Sequence, residues 1–227
     1  MSESAAGVFV TGTGTEVGKT VAAAVLARSL AAAGSKVAVF KPAVTGLDEA
    51  GEADHELLRR AAGSDQRLEQ ISPYRYGPPA SPHLAAALAG EEIDPERLRE
   101  AAREAAAGAD SLVCEGVGGL LVPLSREYLV RDLAVDLGYP LVVVASPGLG
   151  TINHTLLTIE SARRAGLGVA TVVLTPWPDE PSEVERSNRE TIASLGKVEV
   201  RTLPLLDLSD TSTWPPLQVL MGRNPAI

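Results

Sequence analysis

The segment Val8-Phe9-Val10-Thr11-Gly12-Thr13-Gly14-Thr15-Glu16-Val17-Gly18-Lys19-Thr20 has the residue types and order needed to hold phosphate. An apolar run enters a Gly/Thr-rich loop, and the loop ends in Gly-Lys-Thr where an Ala/Val/Leu-rich helix begins. In such a unit, loop amides and the positive end of the helix face phosphate oxygens. Lys19 reaches the β- and γ-phosphates, and the Thr20 hydroxyl can ligate Mg²⁺. The usual spacing puts glycine five positions before Gly18, but Thr13 stands there and Gly12 comes one step earlier. The loop is therefore one residue longer, or turned differently, than the common version. Gly-Lys-Thr alone is a weak signal; a strand before it and a helix after it make it specific.

Other chemistry-bearing residues sit where apolar runs end. Lys41-Pro42-Ala43-Val44-Thr45-Gly46 follows one run, which puts a lysine on the same rim as the phosphate loop. Glu115-Gly116-Val117-Gly118-Gly119 follows another. A carboxylate there can hold Mg²⁺ beside phosphates, since this hard cation prefers oxygen ligands, and the glycines allow close approach of a substrate or backbone. Asp54 opens a helix, as an N-cap or as a second metal carboxylate. Gly150-Thr151-Ile152-Asn153 would present free amides at a helix start, an anion site suited to a carboxylate. His55, His83 and His154 form neither a metal spacing nor a triad and read as structural. The charged run from Glu96 to Glu104 reads as a solvated helix face.

These residues need a scaffold of alternating strands and helices. Short β-branched runs predict strands near Val8–Val10, Val37–Phe40, Leu112–Glu115, Leu141–Ala145, Val169–Leu174 and Val198–Leu203. Helical patterns fall at Lys19–Ala33, Asp54–Ala62, Pro95–Ala107, Val130–Leu137, Ile152–Ala165 and Ser182–Leu195. Strands apolar on both faces, with helical crossovers between them, specify an α/β fold. It is a doubly wound, mainly parallel sheet with helices on both faces, P-loop NTPase-like, whose ligands sit beyond the carboxyl ends of the strands. Pro73 to Pro82 is too proline-rich for strand or helix and reads as an ordered loop or lid. The tail from Pro204, with Pro215-Pro216 and Pro225, reads as irregular.

The chain has 227 residues, suited to one α/β domain over 1–227, with 45% hydrophobic but only 4% aromatic residues, so its core must be aliphatic. A formal charge of −9, from 29 acidic and 20 basic residues, argues against nucleic acid and anionic membrane as partners. The single cysteine, Cys114, lies in an apolar run and reads as a buried thiol in a reducing compartment. The start Met1-Ser2-Glu3-Ser4 lacks the basic region of a signal peptide and no run is long enough for a membrane span, so a cytoplasmic protein is expected.

Together the phosphate loop, Lys41-Pro42 with Thr45-Gly46, Asp54, Ser81-Pro82-His83, Glu115 to Gly119 and Leu149 to His154 resemble the dethiobiotin synthetase family. The resemblance spans roughly residues 8 to 165, and the extra loop residue is itself a family trait. It implies an ATP-dependent cyclo-ligase that takes 7,8-diaminononanoate and CO₂ or bicarbonate, with ATP or another nucleoside triphosphate and Mg²⁺, and works as a homodimer. It also implies roles. Lys19, Lys41, Thr15 and Glu16 lie at the reacting groups. The nucleotide is held by Gly14, Thr15, Glu16, Val17, Gly18, Lys19, Thr20 and Val21, with Asp54, Glu115, Gly116, Val117 and Gly118. Thr20, Asp54 and Glu115 hold the metal. Thr45 lies beside the substrate, and Gly150, Thr151, Ile152 and Asn153 bind its tail carboxylate across the dimer interface. Where the family often places Asn-Asp to read adenine, this chain has Thr175-Pro176-Trp177, and Pro204-Leu205-Leu206 fits the other base-proximal segment only partly. Loose base selectivity is therefore expected. The alternative, a switch ATPase of the partitioning and site-selection class, usually carries a second lysine early in the phosphate loop, and positions 12 to 15 contain none.

Overall fold

The computed structural model describes residues 5–223; the starting Met1 to Ser4 and the tail proline Pro225 lie outside the described residues. Six parallel strands make the main sheet, in the order β2-β5-β1-β6-β7-β8. They are β1 (Ala6–Gly12), β2 (Val37–Phe40), β5 (Ser111–Gly119), β6 (Leu141–Ala145), β7 (Val169–Trp177) and β8 (Val200–Pro204). The intervening β3 (Ala43–Val44) and β4 (Tyr74–Arg75) form a separate parallel pair. The helices are α1 (Lys19–Ala32), α2 (Asp54–Ala62), α3 (Leu68–Ile71), α4 (Pro82–Leu88), α5 (Pro95–Ala106), α6 (Val130–Leu137), α7 (Thr151–Arg164) and α8 (Glu183–Gly196).

Alternation along each strand divides the core between the two faces of the sheet. Val8 and Val10 of β1, Val39 of β2 and Val113 of β5 face α1 and α2. Phe9, Phe40, Leu112 and Cys114, one residue out of step, face α5 and α6. Successive strand side chains point to opposite faces, so a strand covered on both sides must be apolar throughout. Helix α1 is buried almost all round, from Ala22 to Ala27, because the C-terminal tail covers its outer side: Leu217 N–H donates to Ser29 Oγ at 2.9 Å. This close packing requires the small side chains that the composition supplies. Among the described residues no helix is long and apolar enough to cross a membrane.

The expected strands and helices all form, most within two residues of their expected ends. Two segments differ. Tyr74-Arg75, inside the proline-rich stretch, pairs with Ala43-Val44, and Pro82 begins α4. Proline is well tolerated at the first helical position, where its missing N–H would go unbonded anyway. The tail also gains β9 (Gly222–Arg223), antiparallel to Ala6 and Gly7 of β1. Strand β6 begins pairing with β1 only at Phe9, so the start of β1 is open to β9.

From β1 the chain crosses to β2 and returns through β5 on one side, then crosses to β6 on the other. The phosphate loop at the end of β1 therefore stands where the connections diverge, the usual ligand position in an open α/β sheet.

Candidate active site

The phosphate loop closes around its own lysine. Lys19 Nζ donates to the Gly14 carbonyl at 2.8 Å, and Thr13 N–H donates to Val144 O at 2.9 Å. A Cβ at Gly12 would fall 2.8 Å from both Gly14 O and Lys19 Cδ. The lysine stem thus crosses Gly12, which explains why the loop glycine stands there and Thr13 is tolerated. Gly18 caps α1 in the left-handed region, φ 86°, and a Cβ on it would lie 2.6 Å from the Thr175 methyl. Glu16 also has a positive φ, 59°, which costs a non-glycine residue about 1–3 kcal/mol and is characteristic of functional loops.

Behind the loop lies a cluster of charges. Lys41, directly after β2, places Nζ 2.7 Å from Glu115 Oε1 and 2.8 Å from Asp54 Oδ2. Thr20 Oγ1 is 2.9 Å from Glu115 Oε1 and 3.0 Å from Asp54 Oδ1. Glu115 is fully buried, within β5 rather than at its end, because that strand continues to Gly119. Asp54 is the first residue of α2, whose cap is Ala53, so its carboxylate is turned to Lys41 and Thr20 instead of capping the helix.

The electrostatics follow from burial and pairing. Burial raises the Glu115 pKa and outweighs the opposing pull of Lys41. For Lys41, burial favours the neutral amine, but Glu115 and Asp54 together outweigh it and hold the pKa above the usual lysine value. Asp54 is only partly buried; that burial opposes its charge, yet Lys41 and Thr20 keep its pKa low. Lys19 is lowered, chiefly by burial.

Glu115 Oε2 is buried with no hydrogen-bond partner, an oxygen that a cation would satisfy. The described residues contain no cluster of three or more acidic, histidine or cysteine ligands. That suits Mg²⁺, which typically takes one or two carboxylates and fills its remaining positions with phosphate oxygens and water. Thr20, Asp54 and Glu115 could supply the protein share.

These groups open into a cavity of about 730 Å³. It gathers the expected Thr15, Glu16, Gly18, Lys19, Thr20, Val21, Lys41, Thr45, Asp54, Glu115, Val117 and Gly118. It also includes Glu49, Val122 and the stretch from Pro79 to Pro82. Of these, the sequence marks Pro79 to Pro82 as the end of an ordered loop or lid, with Ser81-Pro82 also part of a motif without a role, and leaves Glu49 and Val122 unmarked. The proline-rich stretch reaches the cavity because Gly46 N–H donates to Pro78 O and Leu47 N–H to Tyr76 O, which ties it to the loop bearing Thr45.

Other expected residues lie elsewhere. Val17 packs on the α1 core and Gly14 serves through its carbonyl. Gly116 faces the Phe9 ring and Val130, where a Cβ would meet atoms at 2.9–3.0 Å, so the close approach it allows is core packing rather than substrate access. Gly119 likewise faces the Gly12 carbonyl. Thr175 is buried with its methyl against Gly18, while Trp177 pairs with Pro204 across β7 and β8 and Leu205 is exposed. Gly150, Thr151, Ile152 and Asn153 start α7 outside the cavity, with Gly150 as its left-handed cap.

A family model described as an AAA domain matches residues 6–210. An ATP-dependent dethiobiotin synthetase from Anaeromyxobacter dehalogenans is 48% identical over 178 residues, 78% of this chain and 80% of the relative. One from Rhodococcus erythropolis is 41% identical, over 88% of this chain and 86% of the relative. The chain belongs to the dethiobiotin synthetase family. Its members are ATP-dependent ligases of biotin biosynthesis, so ATP is a co-substrate. The Bacillus subtilis member is 36% identical, over 86% of this chain and 84% of the relative. Among solved structures, a ParA-family ATPase from Chlorobium tepidum aligns over 90% of this chain and 88% of its own at TM-score 0.55 and 13% identity. MinD from Pyrococcus horikoshii aligns over 87% and 80% at TM-score 0.52 and 16% identity. Those two share the fold with the family.

Proposed function

We propose that this chain converts 7,8-diaminononanoate, CO₂ and ATP to dethiobiotin, ADP and phosphate, with ring closure in the cavity at the phosphate loop. One amine of the substrate adds to CO₂ and loses a proton, giving a carbamate. A carbamate oxygen attacks the γ-phosphorus, the bond to the β-phosphate oxygen breaks, and ADP leaves. The second amine then attacks the carbonyl carbon of the mixed anhydride, and phosphate leaves as the ureido ring closes.

The difficulty for the protein is charge, since a carbamate anion must approach a triphosphate. The reading rests on one observation: buried Lys41 paired with Glu115 and Asp54 at the mouth of the phosphate loop. Lys19 and Lys41 supply fixed positive charge where the reacting oxygens meet, and a preorganised charge in a water-poor site acts strongly. Mg²⁺ held by Thr20, Asp54 and Glu115 would neutralise phosphate charge when bound. Thr15 and Glu16 stand beside the reacting groups and Thr45 beside the diamine.

The amides of Gly150 to Asn153 bind the tail carboxylate of a substrate held by the other subunit of a homodimer. Exposed Leu121, Val135 and Leu157, which share one groove between α6 and α7, support such an interface. The net charge of −9 supports a protein that engages neither nucleic acid nor membrane. Purified protein with diaminononanoate, bicarbonate, Mg²⁺ and ATP should release phosphate and ureido product in equal amounts. Phosphate release without ureido product would reject the synthetase reading.

A further inference from the structure

Asn188 breaks the pattern of the helix that carries it. The buried face of α8 runs Asn188, Ile192 and Gly196 at four-residue spacing. Ile192 packs into an aliphatic cluster with Val143, Ile159 and Val172. An amide on such a stripe is costly unless bonded, and an alanine would meet the packing need. Asn188 Nδ2 instead donates to two consecutive carbonyls of the β6–α7 loop, Pro147 O at 2.9 Å and Gly148 O at 3.1 Å. Among the described residues these are the only side-chain hydrogen bonds to the loop between Ser146 and Gly150.

Both carbonyls are therefore drawn toward α8. Gly148 O also accepts from Thr151 N–H at 3.3 Å, so it occupies that one amide, while those of Gly150, Ile152 and Asn153 have no backbone acceptor among the described residues. A carbonyl left free near a helix N-terminus would repel an anion, whereas one turned away leaves the amides to bind it. We infer that Asn188 is a positioning residue that holds the β6–α7 loop so the open amides at the start of α7, those of Gly150, Ile152 and Asn153, can take the substrate carboxylate. This rests on the proposed role of those amides, and it adds a specificity determinant contributed from α8.

The test compares diaminononanoate with 7,8-diaminononane, the same vicinal diamine without the carboxylate. The variants are Asn188→Ala and Asn188→Asp; the second keeps the shape but sets an oxygen against two carbonyls. Wild type should favour the acid in kcat/KM. Both variants should raise the KM for the acid roughly tenfold or more, the scale of lost charge-assisted hydrogen bonds, with little change in kcat or in the KM for ATP. They should leave the des-carboxy diamine unaffected, so the preference for the acid collapses. Arg189→Ala is the control on the same turn, since Arg189 lies over the Trp177 ring at 6.0 Å, and it should leave the acid KM unchanged. If wild type does not distinguish the two diamines, the carboxylate reading fails. If wild type distinguishes them and folded Asn188 variants do so equally well, the role of Asn188 fails. Equal losses on both substrates would also overturn it, since that pattern marks general damage to the fold.

Discussion

Lys41 Nζ lies 2.7 Å from Glu115 Oε1, with side chains only 3% and 0% exposed. The residues stand 74 positions apart and are joined because β2 and β5 are neighbours in the sheet. A buried pair of this kind contributes little net stability compared with apolar residues. Breaking it by removing one partner is costly, because an uncompensated charge stays behind.

Lys41→Ala should therefore lose turnover by about a hundredfold or more, the usual scale for one preorganised charge at a reacting oxyanion. It should also lose about 3–5 kcal/mol of stability through stranding Glu115. The double variant Lys41→Met with Glu115→Gln should recover most of that stability and none of the turnover. Denaturant unfolding and phosphate release, measured on the same preparations, check both. Turnover that returned with stability would reduce Lys41 to a structural part.

Asp54 contacts the same lysine but is 46% exposed, so Asp54→Ala should be milder for stability than Glu115→Ala. Each should raise the Mg²⁺ concentration for half-maximal rate, since a hard oxygen ligand is missing. An Mg²⁺ titration of wild type and Asp54→Ala with superimposable curves and equal rates would remove Asp54 from the metal shell.

If the tail carboxylate is held across the interface, two defects can complement. Lys19→Ala abolishes one protomer's phosphate site, and a substitution crippling Asn153 impairs the site lent to the partner. Mixed and exchanged, the variants should regain activity, because each heterodimer holds one intact composite site. Absence of recovery after subunit exchange is verified by mass spectrometry would argue that each chain works alone.

Base selectivity should be loose. The Thr175 side chain is occupied against Gly18 and Pro176 has no N–H, so neither offers adenine a side-chain donor and acceptor pair. Stacking on Trp177 would tolerate any base. CTP, GTP or UTP should support turnover within about two orders of magnitude of ATP, the range expected where no specific hydrogen-bond pair discriminates. A nucleotide panel in which only ATP works would show that another segment, with Pro204 to Leu206 the first candidate, does the reading.

The sequence by itself determined the phosphate loop and the alternation of strands and helices. Both are local: a strand, a glycine loop and a helix start lie within one short stretch, and periods of 2 and 3.6 report which faces are buried. It also marked Lys41 and Glu115, because each follows an apolar run. Pro82 was legible in principle, since Ser-Pro is a helix-start signature, but the prolines around it hid the start of α4.

Only the tertiary structure decided which of these groups meet. The order of strands sets that Lys41 faces Glu115 and that Asp54 turns to Lys41 and Thr20. The same holds for the pairing of Tyr74-Arg75 with Ala43-Val44 and for Asn188 on Pro147 and Gly148. Such contacts join segments dozens of residues apart. They form when whole faces pack, which no local period encodes.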